Sequence, residues 1–262
     1  MTHAESVKGF YDQLAGNYHL IFEDWDASIR RQAAALGAIL ERECGPPANV
    51  RILDCACGIG TQALGLAKLG FQVTACDLSV VAVERTHKEA ETRGLSVRAF
   101  VADMLDLTEI PDGGVDAVIC LDNALPHLES EEQLLRAAGQ MRRKLRAGGL
   151  LMASIRDYDS LMQEKPVVHG PNFYSDSQGR RIVHQVWDWL DDRSYTFHLY
   201  ITRKVQDQWE SQHYVSTYRS ITRDELSQIV ARSGFADCRW IRPDESGFYQ
   251  PIVLAKASSN IP

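Results

Sequence analysis

The chain has 262 residues, 45% of them hydrophobic, and a formal net charge of −7 at pH 7. This size and apolar content suffice for a full core, so we expect one main domain with a subdomain. The acidic balance argues against a nucleic-acid partner, since such proteins usually present a basic face. The sequence has no run of 18 apolar residues, and residues 1–6 do not resemble a signal peptide. We therefore expect no membrane partner and a cytoplasmic protein, while the sequence indicates no oligomeric state.

The first 45 residues are predicted to form helices. Apolar and aromatic side chains recur at helical spacing at Val7, Phe10, Tyr11 and Leu14. After an interruption near Gly16, a second helix is expected from about Ala27 to Arg42. The turn-forming segment Gly45-Pro46-Pro47 ends that helix and separates it from the rest of the chain.

Strands and helices alternate from Arg51 to about Ser154, which predicts parallel strands joined by crossover helices. Short continuous apolar runs are predicted as doubly buried strands at Val50–Cys55, Gln72–Asp77, Val97–Val101, Val115–Cys120 and Gly149–Ser154. Helices are expected between them, near residues 61–69, 79–93 and 130–145. The fold class that follows is α/β, with a doubly wound and mostly parallel sheet.

The pattern changes after residue 155. Alternating aromatic-rich segments predict a three-stranded antiparallel meander at Ile182–Leu190, Ser194–Lys204 and Glu210–Ser220. Thr222 and Glu225 have the spacing of a capping box, which predicts a helix ending at Ser233-Gly234. Two final strands, near residues 237–242 and 248–256, complete a seven-stranded sheet. We expect a core of residues 46–160 and 221–262, with residues 165–220 inserted as an antiparallel subdomain over the active site.

The cysteines do not predict a metal site. Most of the six lie in or beside predicted strands, where a free cysteine behaves as a small hydrophobe. Cys55 and Cys57 are too closely spaced for a zinc knuckle, and no His/Cys pair follows them at ligand spacing. We expect a structural role for these thiols.

A glycine-containing turn after the first predicted strand is the most informative motif. Asp54 ends the strand, Gly58 and Gly60 belong to the turn, and Asp77 ends the second strand nineteen residues after Gly58. This spacing predicts a nucleoside crevice in which the Asp77 carboxylate accepts hydrogen bonds from two ribose hydroxyls.

Two kinds of cofactor are compatible with that crevice. The turn Gly58-x-Gly60-x-x-Ala63 formally fits the dinucleotide fingerprint, in which a helix N-terminus receives a pyrophosphate. Asp54 would repel a pyrophosphate, but it suits a cofactor with a cationic sulfonium and a free amino group. Asp103 ends the third predicted strand, where its carboxylate can accept from an adenine amine. A nicotinamide-dependent oxidoreductase is therefore the distant alternative.

Four segments resemble class I S-adenosylmethionine-dependent methyltransferases and, within them, the glycine N-methyltransferases. Arg51–Gly60 and Val73–Ser79 are common to many methyltransferases, whereas Asp116–Leu128 and Gly148–Asp159 are more specific to the glycine N-methyltransferase group. The resemblance implies a Rossmann-like methyltransferase fold and S-adenosyl-L-methionine as the cofactor. It also implies S-adenosyl-L-homocysteine as a product and a small-molecule substrate.

The resemblance further implies roles for individual residues. Residues 1–45 would form a helical lid, in which Arg30 or Arg31 binds the cofactor carboxylate. Asn123 and Arg156 match positions that hold an amino-acid substrate, with Arg156 clasping its carboxylate. Together with Asp54, the implied cofactor-binding residues are Tyr11, Tyr18, Arg30, Arg31, Ala56, Gly58, Gly60, Asp77, Leu78, Asp103, Met104, Leu121 and His127.

The sequence leaves the methyl acceptor open. We expect N-methylation of glycine, sarcosine or a related amino acid. The alternative is N- or O-methylation of a small heterocyclic metabolite, because the meander aromatics suit a flat ring, and a non-catalytic cofactor-binding module is a further alternative. The transfer requires alignment of donor and acceptor rather than a strong nucleophile. No obligatory general base is identifiable, and His127 and His213 are the candidates.

Overall fold

The computed structural model describes residues 3–258, in which eight α-helices and eleven β-strands are assigned. The helices are α1 (His3–Leu14), α2 (Trp25–Cys44), α3 (Thr61–Lys68), α4 (Val80–Thr92), α5 (Glu131–Lys144), α6 (Tyr158–Glu164), α7 (Arg223–Arg232) and α8 (Pro243–Ser246). The strands are β1 (Arg51–Asp54), β2 (Gln72–Asp77), β3 (Val97–Val101), β4 (Val115–Cys120), β5 (Leu145–Ser154), β6 (Val168–Asp176), β7 (Gly179–Trp189), β8 (Ser194–Val205), β9 (Gln208–Arg219), β10 (Phe235–Ile241) and β11 (Ile252–Ala257). Short 3-10 helices lie at Tyr18–Ile21, Pro47–Asn49 and Leu125–His127.

The main sheet has seven strands in the order β10-β11-β5-β4-β1-β2-β3. Six of them run in the same direction, whereas β11 runs antiparallel to its neighbours β5 and β10. Every residue of β4 is buried, as expected for a central strand covered by helices on both faces. The predicted α/β fold class, with a doubly wound and mostly parallel seven-stranded sheet, is confirmed.

The parallel strands align their carboxyl ends on one edge of this sheet. Asp54 pairs in register with Ala75 on β2 and with Ile119 on β4. The loops that follow β1, β2 and β4 therefore open side by side. In a doubly wound sheet, the crevice outside these strand ends is where ligands bind.

The antiparallel sheet has four strands, β6-β7-β8-β9, rather than the three predicted. The additional strand β6 is an edge strand whose residues are mostly exposed, and its pairing with β7 shifts register between His169 and Asn172. Gly170 and Pro171 lie at that shift, and such residues are tolerated in a strand mainly at edges and bulges. They also break the apolar alternation by which a strand is recognised in sequence.

Two contacts fix the N-terminal segment against the remainder of the protein. Gly65 on α3 lies so close to α2 that a Cβ added to it would be 2.7 Å from the Cβ of Ala33. Arg181 on β7 is buried and donates hydrogen bonds to the main-chain carbonyls of Leu20, Phe22 and Glu23 at 2.7–3.0 Å. The division into a lid, a core and an inserted subdomain stays a prediction.

Thr222 and Glu225 form the predicted capping box at the start of α7. All six cysteines are free. Within residues 3–258, no helix combines the length and apolar content that a membrane span requires. The same part of the chain contains no cluster of three or more His, Cys, Asp or Glu side chains arranged to hold a metal ion.

Candidate active site

The turn after β1 places main-chain groups at the carboxyl edge of the sheet. Gly58 and Gly60 have φ values of +53° and +90°, in the left-handed region that favours glycine. The Gly58 N–H donates to one oxygen of the Asp77 carboxylate at 2.8 Å, and the Ser79 N–H donates to the other at 2.9 Å. The acid at the end of β2 is thereby held against the turn, and burial raises its pKa.

A cleft opens above this turn and contains most of the predicted cofactor-binding residues. It is lined by Tyr11, Tyr18, Ala56, Gly58, Asp77, Leu78, Asp103, Met104, Leu121 and His127, together with residues that the sequence analysis did not select. The cleft encloses about 110 Å³ because α1 lies across it. That is less than the several hundred Å³ typical of a small-molecule site. Two residues of α1, Val7 and Tyr11, belong to the lining of this cleft.

Asp54 lies beneath the turn rather than on the surface of the cleft. Its side chain is 2% exposed, one oxygen accepts from the Ala56 N–H at 3.3 Å, and the other has no hydrogen-bond partner among residues 3–258. Burial, together with the nearby Asp77, raises the pKa of this carboxyl to about 7. A buried carboxylate oxygen without a donor is unusual and fits a cofactor that brings a cationic or N–H group to the turn.

Arg30 and Arg31 are not brought to the cleft. Both are exposed on α2, and Arg30 lines a separate polar groove near Trp25 and Arg93. Gly60 is also absent from the lining, since it is buried at the start of α3, where an added Cβ would meet Thr86 at 3.0 Å. The role of an arginine on the cofactor carboxylate has no geometric support in this structure.

A second and larger cavity, of about 880 Å³, lies next to the cleft and beneath the meander. Tyr11, Tyr18 and Asp122 line both spaces, so they form the boundary between them. The remaining walls include Arg156 and rings of the meander, and we call this space the acceptor cavity. Its walls come from α1, the ends of β4 and β5, the meander and the loop before β11.

Arg156 follows β5 and points into a cage of aromatic rings. Its guanidinium carbon lies 4.7 Å from the ring centroid of Trp187, and 5.2 Å from those of Phe197 and Tyr218. One guanidinium nitrogen, Nη1, donates to the Tyr195 hydroxyl at 2.7 Å. No Asp or Glu among residues 6–258 forms an ion pair with Arg156, although Arg156 lines the acceptor cavity.

Asn123 supports Arg156 and does not line either space. Its backbone has a φ of +65°, and its side-chain oxygen accepts from the Arg156 N–H at 3.0 Å. The side chain is 2% exposed. A direct contact with a substrate is therefore not supported by this arrangement, whereas a role in positioning Arg156 is.

The two candidate bases lie in different places. His127 is buried beside the cleft, where its Nε2 lies 2.8 Å from the Tyr11 hydroxyl and its ring centroid lies 4.2 Å from that of Tyr218. His213 lies on the exposed face of the meander, with its Nε2 2.9 Å from the Nδ1 of His198. His213 is remote from both spaces, so it cannot exchange a proton with a ligand there.

Asp122 is a site residue that the sequence analysis did not select. It directly follows the fully buried strand β4, and its φ of +55° turns the chain at the carboxyl edge of the sheet. The Tyr18 hydroxyl donates to its carboxylate at 2.8 Å. The signal was present in the sequence as an acid at the end of a buried strand, like Asp77.

The fold is that of S-adenosylmethionine-dependent methyltransferases of known structure, and part of the chain matches a methyltransferase domain. Residues 52–149 match the model of a methyltransferase domain. A solved S-adenosylmethionine-dependent methyltransferase from Clostridium acetobutylicum superposes with a TM-score of 0.71 at 15% identity, covering 87% of this chain and 92% of that one. The predicted Rossmann-like methyltransferase fold is confirmed.

Within that class the chain is similar to glycine N-methyltransferases, as predicted. It is 32% identical over 190 residues to the glycine N-methyltransferase of Homo sapiens, covering 64% of this chain and 62% of that protein. It is 29% identical over 144 residues to the glycine/sarcosine N-methyltransferase of Aphanothece halophytica, covering 54% of each. The chain thus spans less than two thirds of the length of these curated relatives.

Proposed function

We propose that this protein transfers a methyl group from S-adenosylmethionine to a nitrogen atom of a small molecule that carries a carboxylate. The observation that carries the proposal is Arg156, a cation in the acceptor cavity with no carboxylate partner among the described residues. An enclosed charge without a counter-ion is costly, and an anionic ligand would compensate it. The names of the similar proteins, which include glycine and sarcosine N-methyltransferases, agree with a carboxylate-bearing acceptor.

The aromatic cage restricts how Arg156 can bind. The rings of Trp187, Phe197 and Tyr218 hold the guanidinium plane by cation–π contacts, and the Tyr195 hydroxyl occupies one donor. A planar guanidinium fixed in this way suits bidentate binding of a carboxylate. The acceptor would therefore be oriented by its carboxylate end, with its nitrogen left to face the cleft.

S-adenosylmethionine, when bound, supplies a methyl group that is already activated by a positive sulfur. What remains for the protein is alignment and the exclusion of water, which together lower a barrier by about 7–11 kcal/mol. Tyr11 and Tyr18 are placed to do both, because they line the cleft and the acceptor cavity at once. The amine has to be neutral when it attacks, since a protonated amine has no lone pair.

The size of the acceptor cavity bears on the identity of the acceptor. Its volume of about 880 Å³ lies within the range of about 300–1,000 Å³ that holds ligands much larger than glycine. Glycine and sarcosine remain the first acceptors to test because of the similar proteins. Among amino acids, one with a bulky side chain fills the space better.

A flat heterocycle is the second candidate. Trp187, Phe197 and Tyr218 present ring surfaces in the acceptor cavity, and aromatic walls bind planar ligands by stacking. These rings already contact Arg156, which leaves less of their area for a ligand. The carboxylate-bearing acceptor therefore has the stronger support.

The test is radiolabelled methyl transfer with a panel of glycine, sarcosine, L-phenylalanine and xanthine, each amino acid paired with its amide. We expect turnover of at least one amino acid and a marked preference for the acid over its amide. Arg156→Ala should raise KM for the acid about 10- to 100-fold, the equivalent of one lost charge-assisted hydrogen bond. The KM for the amide and the affinity for S-adenosylhomocysteine should change little. Turnover of xanthine alone, or an equal effect of the substitution on acid and amide, would refute the proposal.

A further inference from the structure

We infer that Asp122 binds the ammonium group of the acceptor and takes its proton before methyl transfer. This assignment rests on the proposed function and deepens it, because it specifies an acceptor with a carboxylate at one end and a basic amine at the other. It also supplies a general base, a role for which the sequence suggested only His127 and His213. The argument depends on position, on charge and on the hydrogen bonds of Asp122.

Asp122 lies where donor and acceptor have to meet. Asp122, Tyr11 and Tyr18 line both the cofactor cleft and the acceptor cavity. Asp122 is the one carboxylate among residues 6–258 that lines both spaces. Its N–H donates to the Ser154 hydroxyl at 2.9 Å, which fixes the backbone at the end of β4. The left-handed φ of +55° turns the chain at this edge of the sheet.

The carboxylate of Asp122 retains capacity for a ligand. The Tyr18 hydroxyl donates to Oδ2 at 2.8 Å, and the Gln250 side chain approaches Oδ1 at 3.5 Å, the limit of a hydrogen bond. A carboxylate has about four acceptor positions. An ammonium group in the acceptor cavity can therefore donate to Asp122 without displacing the Tyr18 hydroxyl.

Asp122 and Arg156 are opposite charges in the acceptor cavity, whose lining also includes Asp157, Arg223, Arg242 and Asp244, with Arg223 paired to Asp157. Arg156 lowers the pKa of Asp122 electrostatically without forming an ion pair with it. Two fixed charges that do not neutralise each other match a zwitterion, whose carboxylate faces Arg156 and whose ammonium faces Asp122. A neutral heterocycle would leave both charges uncompensated.

The groups around Asp122 leave it free to set the acid side of the pH profile. Burial raises the pKa of Asp122, and the hydrogen bonds from Tyr249 and Tyr18 oppose that rise. Burial also raises the pKa values of the neighbouring phenols of Tyr11, Tyr18, Tyr218 and Tyr249, so these groups stay protonated near neutral pH. The remaining charged or titratable neighbours are Arg156, which stays cationic, and His127, which contacts Tyr11.

The proposed step balances as follows. The ammonium transfers one proton to an Asp122 oxygen, and the nitrogen keeps the electron pair of the broken N–H bond. The nitrogen then forms a bond to the methyl carbon while the carbon–sulfur bond breaks and its electron pair goes to sulfur. The product is a methylated ammonium ion and a neutral thioether, and Asp122 later releases its proton to solvent.

Asp122→Asn tests this role, because asparagine keeps the shape and tolerates a positive φ as readily as aspartate. We expect kcat/KM for the best amino acid of the panel to fall about 10²- to 10⁴-fold, the usual contribution of a general base. Two readouts do not depend on turnover. In calorimetry with S-adenosylhomocysteine present, the variant should bind that amino acid at least tenfold more weakly, while its thermal midpoint and its affinity for S-adenosylhomocysteine stay near those of the wild type.

The pH profile separates a base from a merely structural residue. Wild-type kcat/KM should fall as the pH drops through the raised pKa of Asp122, because only the carboxylate accepts a proton. Measured at saturating S-adenosylmethionine, so that titration of Asp54 does not limit cofactor binding, Asp122→Asn should lack this acid limb. Tyr18→Phe removes a hydrogen bond that lowers the pKa of Asp122, so it should move the limb to higher pH, whereas His127→Gln should leave the limb in place.

The outcomes are distinguishable. An Asp122→Asn variant that keeps more than a third of wild-type kcat/KM together with the acid limb overturns the assignment, and so does a limb that disappears in His127→Gln. If the wild type methylates no amine in the panel, the proposed function fails first, and the role of Asp122 falls with it. Loss of the limb together with weaker amino-acid binding supports the assignment.

Discussion

Asp54 should make the stability of the protein depend on pH in an unusual direction. The folded protein holds this carboxyl at a pKa of about 7, whereas its ordinary value is 3.8. Between these values the folded state binds more protons than the unfolded state, so stability increases as the pH falls. From pH 8 to pH 5 the shift corresponds to a gain of about 3 kcal/mol in the free energy of unfolding.

The matched variant is Asp54→Asn, which removes the ionisation and keeps the size. Its amide adds donors beneath the turn, and this adds a constant offset of about 1–3 kcal/mol to the comparison. From pH 5 to pH 8, the free energy of unfolding of the wild type should nevertheless fall by about 3 kcal/mol relative to that of the variant. Urea unfolding monitored by circular dichroism at four pH values measures this slope. Parallel curves for the two proteins would refute the reasoning.

Two further substitutions test the contacts of the N-terminal segment. Gly65→Ala should destabilise the protein by about 1–3 kcal/mol because the new Cβ meets Ala33. The control is Gly139→Ala, whose Cβ meets nothing within 4 Å. This control should stabilise the protein by about 1 kcal/mol. Arg181→Met should cost about 3 kcal/mol because three main-chain carbonyls lose their donor; the exposed Arg180→Met serves as the control. Urea midpoints measure both pairs, and equal values within either pair would contradict the corresponding contact.

The sheet was predictable because its strands are buried on both faces. Runs such as Val115–Cys120 contain little besides apolar residues, and the structure buries all six positions. The cleft residues at strand ends were predictable for the same reason, since the edge of a parallel sheet follows from the strands. Asp77, Asp103 and Leu121 all line the cleft.

What the sequence did not reveal depends on contacts between distant segments. β6 is an exposed edge strand interrupted by Gly170 and Pro171, so it lacks the alternation that identifies a strand. The positions of Arg30 and Arg31 depend on the rotation of α2 about its axis, which packing against α3 determines. The site role of Asp122 becomes visible only when the cleft and the acceptor cavity are seen to share a wall.

That shared wall links binding at the two spaces. Tyr11 and Tyr18 line both the cleft and the acceptor cavity, so a movement of either side chain changes the walls of both spaces. If cofactor and acceptor occupy these spaces as proposed, their affinities are thermodynamically coupled. If one ligand changes the affinity for the other by a given factor, the second ligand changes the affinity for the first by the same factor.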